Sequence, residues 1–165
     1  IPQIAYNDSP TYIRIQRTAA DKVYGPDYRF QLGKADVLRD GKDVVIFCSG
    51  IMVIRSLAAA EILAEQGIDA AVVNVHTLKP LDEETVLKYA AKCRAVVTAE
   101  NHSIIGALGG AVAEVLAEKC PTVMRRIGVT DHFGEVGKLD YLEKKFRMTP
   151  SDIADAAKSA VAAKN

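Results

Sequence analysis

Residues 96–112 read VVTAENHSIIGALGGAV, an apolar run followed by a polar and glycine-containing loop and then a second apolar pattern. The first run is typical of a buried strand, and the pattern after the loop is typical of a helix with one buried stripe. This stretch therefore predicts a strand–loop–helix unit. In open α/β sheets the loop of such a unit lies at the carboxyl ends of the strands, where ligands or partner surfaces usually meet the fold.

Apolar strands alternate with helical patterns on both sides of this unit. Strands are predicted at residues 35–38, 44–47, 71–75, 95–99 and 123–127. Helical periods separate the last four strands, and a short helix from Leu139 to Phe146 and a final helix from Pro150 follow them. Strand–helix–strand units with short joints form right-handed parallel crossovers. We therefore predict a doubly wound α/β fold, a three-layer sandwich with a mostly parallel five-stranded sheet and one antiparallel edge strand.

Local signals define several connections. Asp40-Gly41 is a hairpin turn signal, which predicts that the strands at 35–38 and 44–47 pair with each other. Asp82 is a predicted N-cap, and Thr149-Pro150 followed by Asp152 is typical of an aspartate variant of the capping box.

The first part of the chain has a different character. Residues 10–15 alternate polar and apolar side chains and predict one strand, whose partner strands lie later in the chain or are missing from it. Residues 18–31 combine turn residues with no hydrophobic period and predict an exposed linker. The chain also begins without Met, in sequence typical of mid-domain, so we expect it to be a fragment.

Composition excludes several function classes. The chain has 165 residues, of which 49% are hydrophobic and 25% charged, as in ordinary globular domains. Its formal net charge is zero, which argues against a nucleic-acid surface driven by bulk charge. Neither an apolar run long enough to span a membrane nor a signal-peptide pattern is present, so we expect a cytoplasmic protein without membrane contact.

The three cysteines give no sign of a cysteine-based site. Cys48, Cys93 and Cys120 are widely spaced, without a C-x-x-C pair, so neither a disulfide framework nor a zinc site is supported. Each lies among apolar or small residues, which favours a packed thiol over a nucleophile.

Glu100 and His102 are the first candidate site residues. They stand two apart at the end of a predicted strand, so their side chains can share a face as an acid–base pair or as two metal ligands. No third ligand is assignable nearby, and the alternative is that they brace the joint through hydrogen bonds. The absence of a G-x-S-x-G motif argues against a hydrolase triad.

Glycines and arginines supply the remaining candidates. Gly106, Gly109 and Gly110 suggest a phosphate site at a helix N-terminus, but their spacing matches no nucleotide motif, and close packing explains small residues equally. Arg14 is predicted to be solvated or paired. Arg17 follows the predicted strand at its carboxyl end, where its planar guanidinium suits a phosphate.

Four segments together resemble the C-terminal domain of transketolase. They are GKDVVI at residues 41–46, NVHTLKPLD at 74–82, VTAENHSIIGALG at 97–109 and DHFGE at 131–135. The resemblance covers nearly the whole chain, in order, and is strongest to the C-terminal subunit of transketolases encoded as two chains. It implies that residues 1–20 are the tail of a pyrimidine-binding domain, 21–31 a linker and 32–165 the transketolase C-terminal domain.

The resemblance also implies how such a chain functions. Transketolases move a two-carbon ketol unit between sugar phosphates with thiamine diphosphate and Mg²⁺, which bind between pyrophosphate- and pyrimidine-binding domains of two protomers. We therefore expect no cofactor, metal or catalytic residue on this chain, inactivity in isolation, and partnership with those domains in a homodimer. Arg17 occupies the position of an arginine that contacts the sugar phosphate, and Glu100, His102, Gly106 and Gly109 mark a possible joint or interface.

Two alternatives share the same domain. The chain could belong to a deoxyxylulose-phosphate synthase, or it could be a partner-docking module like the β subunit of 2-oxoacid dehydrogenase E1 components.

Overall fold

The computed structural model describes residues 2–6, 8–16, 19 and 21–164. Its strands are β1 Asp36–Arg39, β2 Val44–Cys48, β3 Ala70–Asn74, β4 Ala95–Ser103 and β5 Val123–Val129. Its helices are α1 Pro2–Ala5, α2 Met52–Glu65, α3 Glu83–Cys93, α4 Leu108–Lys119, α5 Leu139–Lys145 and α6 Pro150–Ala163. None of the helices in these ranges is long and apolar enough to cross a membrane.

The strands form one sheet in the order β1-β3-β2-β4-β5. β1 is antiparallel to β3, and the other three pairs are parallel. The carboxyl ends of β2, β3, β4 and β5 therefore meet at one edge of the sheet, together with the start of β1. The predicted fold class is confirmed, including the antiparallel strand at an edge.

Helices cover both faces of the sheet, because β2 and β3 are buried along their whole length and present apolar side chains to each side. On one face α2 and α6 pack with residues such as Leu63 and Ile153. On the other face α3 and α4 pack with residues such as Val86 and Val112. The two apolar layers give the three-layer sandwich.

The predicted hairpin between the first two strands is wrong, because β1 pairs with β3 and not with β2. The turn after β1 runs against the start of β3, where Lys42 and Asp43 donate their amides to the Asp69 carbonyl. A Cβ at Gly41 would lie 2.4 Å from the backbone of Ala70. Gly41 therefore allows the turn to pass close to the backbone of β3. β2, which follows this turn, lies on the other side of β3 from β1.

The strand predicted at residues 10–15 is also wrong. Residues 10–16 form no regular structure, and Tyr12 and Ile15 are 89% and 70% exposed. No strand in the described part of the chain pairs with this segment, so its alternating pattern has no apolar surface to cover.

β4 and β5 extend beyond their predicted ends. Their pairing continues after an irregularity as far as Ser103 and Val129, so β4 includes Glu100 and His102, and β5 includes Gly128. The local signals at helix ends are confirmed in the structure. Asp82 accepts a hydrogen bond from the Thr85 amide, and Thr149 and Asp152 form both bonds of a capping box.

Candidate functional site

Glu100 lies at the centre of the strand–loop–helix unit. Its side chain is 2% exposed, and its two oxygens accept hydrogen bonds from the first amides of α4, Oε2 from Leu108 at 2.9 Å and Oε1 from Gly109 at 2.7 Å. The first amides of a helix have no partner within the helix and carry partial positive charge. A buried carboxylate placed there is stabilised, and it holds the end of β4 against the start of α4.

Gly109 is packed too closely to carry a side chain without movement of its neighbours. A Cβ at this position would lie 3.0 Å from Glu100 Oε1 and from Arg126 Cδ, and 3.1 Å from Thr98 Oγ1. The small residue therefore permits close packing of α4 on β4. Gly106 serves the preceding turn through its positive φ of 74°, whereas Gly110 has open space beside it.

These contacts decide between the two interpretations of the glycines. The amides that could bind a phosphate at the start of α4 already bind the Glu100 carboxylate. The N-terminal anion site of this helix is thus filled from within the chain, and the close-packing interpretation describes Gly109.

The structure does not unite Glu100 and His102 in one site. The carboxylate is buried against α4, whereas the His102 ring is exposed and its Nδ1 lies 3.1 Å from the Ser103 carbonyl oxygen. Over the ranges that the structure describes, no group of three or more His, Cys, Asp or Glu side chains could hold a metal ion. The geometry is that of a structural brace, and an interface role for this joint stays a prediction.

The two candidate arginines are placed differently. Arg14 donates from Nη1 to the Asn101 carbonyl oxygen at 2.6 Å, so it joins residues 8–16 to the carboxyl end of β4. Of the two predicted alternatives, solvated or paired, Arg14 is therefore paired, and its partner is a backbone carbonyl. Arg17 lies outside the described residues, and its role toward phosphate stays a prediction.

The cysteines pack as their surroundings predicted. Cys48 and Cys93 are buried, Cys120 is half-buried, and all three are free thiols. Burial raises the pKa of Cys48 to about 12 and that of Cys93 to about 11. Neither buried thiol is activated as a nucleophile.

A polar cluster at the start of β1 was not predicted from the sequence. Asp36 Oδ2 accepts hydrogen bonds from the hydroxyls of Tyr24 at 2.7 Å and Tyr28 at 2.6 Å, and it lies 3.4 Å from His76 Nε2. Asn74 Nδ2 donates to the Tyr24 hydroxyl at 2.7 Å. The two phenol rings stack with their centroids 3.8 Å apart.

The cluster changes the acid–base behaviour of its members. Burial, with the hydrogen bond to Asp36, raises the pKa of Tyr28 to about 12 and raises that of Tyr24 as well. Burial lowers the pKa of His76, against the opposing effect of the Asp36 charge. The phenols are therefore neutral and donate to Asp36, and the imidazole is held neutral.

The prediction of an exposed linker at residues 18–31 is wrong at Tyr24 and Tyr28. Residues 25–27 are exposed, but Tyr24 and Tyr28 are half-buried because their hydroxyls bond to Asp36. The signal that could have located the cluster is the polar pair Asn74 and His76 at the carboxyl end of a buried strand, where side chains of neighbouring segments converge.

Comparison with known proteins identifies the family of the chain. The family model "Transketolase, C-terminal domain" matches residues 33–153. A 6-deoxy-6-sulfo-D-fructose transketolase subunit from Clostridium sp. (strain MSTE9) is 54% identical over 164 residues, which are 99% of this chain and 51% of that protein. A 1-deoxy-D-xylulose-5-phosphate synthase from Caldanaerobacter subterraneus subsp. tengcongensis is 40% identical over 152 residues, 90% of this chain and 24% of that protein.

A solved structure shows the same fold. The "Split gene transketolase, inactive beta4 tetramer" superposes with a TM-score of 0.87 at 44% identity, over 90% of this chain and 49% of that chain. The chain thus spans about half the length of the transketolase subunits that it matches. Since the family model covers most of the residues and the fold agrees, the chain belongs to the transketolase C-terminal domain family.

Proposed function

We propose that this chain is the C-terminal part of a thiamine-diphosphate-dependent transketolase, an enzyme that transfers a two-carbon ketol unit between sugar phosphates. The observation that carries the proposal is the match over residues 33–153, together with 54% identity to a transketolase subunit about twice as long. The relationship to deoxyxylulose-phosphate synthase, at 40% identity, is weaker.

In this proposal the domain contributes to structure and dimer assembly and has no activity alone. The side chains of this domain that could react support a structural role for it. Both oxygens of Glu100 bind backbone amides, and burial raises the pKa of the Cys48 and Cys93 thiols. The structural relative is itself described as an inactive tetramer.

The described residues do not fit the family's cofactor. A diphosphate has no free helix N-terminus at α4, because Glu100 occupies its amides, and those residues offer no cluster of ligands for Mg²⁺. We propose, from the family membership, that thiamine diphosphate and Mg²⁺ bind on the pyrophosphate- and pyrimidine-binding domains, or on the subunit that carries them. We place the complete enzyme in the cytoplasm as a homodimer.

Arg17 is the one residue of this chain that we propose to contact substrate. In the complete enzyme, Arg17→Ala is expected to raise the KM for phosphorylated donors far more than the KM for unphosphorylated ones, because it removes the partner of the phosphate. The control Lys88→Ala removes an exposed cation on α3 and should leave both KM values unchanged. Equal effects of Arg17→Ala on both donor classes would refute the phosphate role.

Reconstitution tests the proposed function. Mixing the chain with the missing domains, followed by gel filtration and a ketol-transfer assay with thiamine diphosphate and Mg²⁺, should give a complex that forms sugar-phosphate product. Deoxyxylulose-phosphate formation by the complex would assign the synthase instead. Capture of a lipoyl-bearing partner without ketol transfer would favour a docking module.

A further inference from the structure

The segment of residues 24–35, called the strap below, lies at the carboxyl end of β3 and is held by Asn74 and by the loop of residues 75–82. Three hydrogen bonds connect the two. Asn74 Nδ2 donates to the Tyr24 hydroxyl at 2.7 Å, the amide of Gly33 donates to Thr77 Oγ1 at 3.3 Å, and the amide of Ala35 donates to Asp82 Oδ2 at 2.9 Å. The contacts are spread over the whole length of the strap.

Ring and backbone packing add to these bonds. The Phe30 ring lies against His76 with the centroids 4.5 Å apart. Gly33 has a φ of +78°, and a Cβ there would lie 3.1 Å from Pro80 Cγ. The strap therefore fits the loop closely on its apolar side as well as through its polar groups.

Asp36 closes the arrangement at the end of the strap. Its Oδ2 accepts from both strap tyrosines, Tyr24 and Tyr28, and lies 3.4 Å from His76 Nε2 on the loop. Asp36 thus fixes both strap tyrosines at the start of β1, next to the His76 ring. Removing this shared acceptor leaves the hydroxyls of Tyr24 and Tyr28 without it at once, which costs more than losing a single bond.

The other side of the strap carries the N-terminal helix. Gln3 Nε2 donates to the Phe30 carbonyl oxygen at 2.6 Å, and the amide of Leu32 donates to Gln3 Oε1 at 3.1 Å. Arg14 supplies a separate link from residues 8–16 to β4. Because Gln3 bonds to Phe30 and Leu32, displacement of the strap would be transmitted to α1.

We propose that residues 74–82 and Asp36 form a clamp that fixes the strap, and through it sets the position of residues 2–6 relative to the sheet. Asp36 is a positioning residue in this arrangement. Its role in the enzyme rests on the proposed function, in which those N-terminal residues continue the pyrimidine-binding domain. The clamp would then hold the C-terminal domain at a defined position beside the part of the enzyme that binds the cofactor.

The test compares Asp36→Ala, which removes the shared acceptor, with Asp27→Ala in the full chain of the complete enzyme. Asp27 is an exposed residue of the same strap, so the control makes the same chemical change away from the clamp. Hydrogen exchange of strap amides should be at least about tenfold faster in Asp36→Ala, as expected for the loss of the two hydrogen bonds from Tyr24 and Tyr28, and unchanged in the control. Amides of β2 and β3 should keep their protection, which shows that the fold is intact.

A distance measurement tests the positioning directly. Spin labels at Tyr6→Cys, directly after α1, and Lys88→Cys, both exposed positions, are introduced with Cys120→Ser. The distance distribution between the labels should broaden in Asp36→Ala and match the wild-type distribution in Asp27→Ala.

A second variant guards against an effect of Asp36 on folding. Thr77→Val keeps the side-chain shape but removes the acceptor of the Gly33 amide, and it should also broaden the distribution. An unchanged distribution in Asp36→Ala and Thr77→Val, or equal strap exchange in Asp36→Ala and Asp27→Ala, would overturn the clamp. Neither readout uses ketol transfer, so failure of the proposed function would be seen separately in the activity assay.

Discussion

Replacement of Glu100 by Gln tests how strongly the central strand–loop–helix unit depends on one buried carboxylate. The wild-type side chain offers one oxygen to each of two amides, at Leu108 and Gly109. A glutamine keeps the size but has only one acceptor oxygen, so in either orientation its NH₂ group faces an amide donor. The substitution also removes the negative charge from the N-terminus of α4.

The expected loss follows from these two changes. A buried amide left without an acceptor costs about 1–3 kcal/mol. Loss of the charge at a helix N-terminus costs about 0.3–1 kcal/mol, and up to about 2 kcal/mol where the charge is partly buried. Glu100→Gln should therefore lower the free energy of unfolding by about 2–4 kcal/mol.

Urea unfolding at pH 7 provides the measurement, with Glu114→Gln as the matched control on the exposed side of α4. The control should change stability by less than about 0.5 kcal/mol. The reasoning would be refuted if Glu100→Gln remained as stable as this control.

Two further predictions concern the turn after β1 and the tyrosine cluster. Gly41→Ala should destabilise the chain by about 1–3 kcal/mol or more in urea unfolding, because its Cβ would meet the backbone of β3 at 2.4 Å. The control Gly110→Ala, beside open space in α4, should be neutral or stabilising. Equal stability of the two variants would contradict the close approach of the turn to β3. The pKa of Tyr28 is raised from 10 to about 12, so the stability contributed by its protonated phenol is complete below pH 10 and is lost as the pH rises from 10 to 12. The difference in unfolding free energy between wild type and Tyr28→Phe should shrink over this interval, and a constant difference would exclude the bond to Asp36 as its source.

Elements encoded by local pattern could be predicted from the sequence. The apolar runs of β2 and β3, the periodic helices and the caps at Asp82 and Thr149 depend on neighbouring residues, and they appear where the patterns placed them. The order of the strands in the sheet could not be predicted from local pattern. The turn at Gly41 was visible locally, but the pairing of β1 with β3 depends on a strand that begins about thirty residues later.

The candidate site divides in the same way. The position of Glu100 at the end of a buried strand was evident, and the bracing alternative described its bonds to α4. The cluster around Asp36 joins residues that are up to 50 positions apart, such as Tyr24 and Asn74, so no short pattern contains it. Residues 10–15 show the opposite error, since an alternating pattern without a partner strand does not form a sheet.

The central claim is that this chain supplies the C-terminal part of a transketolase and needs the other domains for catalysis. The most direct measurement is product formation by the isolated chain with thiamine diphosphate, Mg²⁺ and xylulose phosphate, compared with the same chain after addition of the pyrophosphate- and pyrimidine-binding domains. The account predicts no product above a no-protein control for the chain alone and ketol transfer once the domains are added. Turnover by the chain alone, or none after a stable complex has formed, would contradict it.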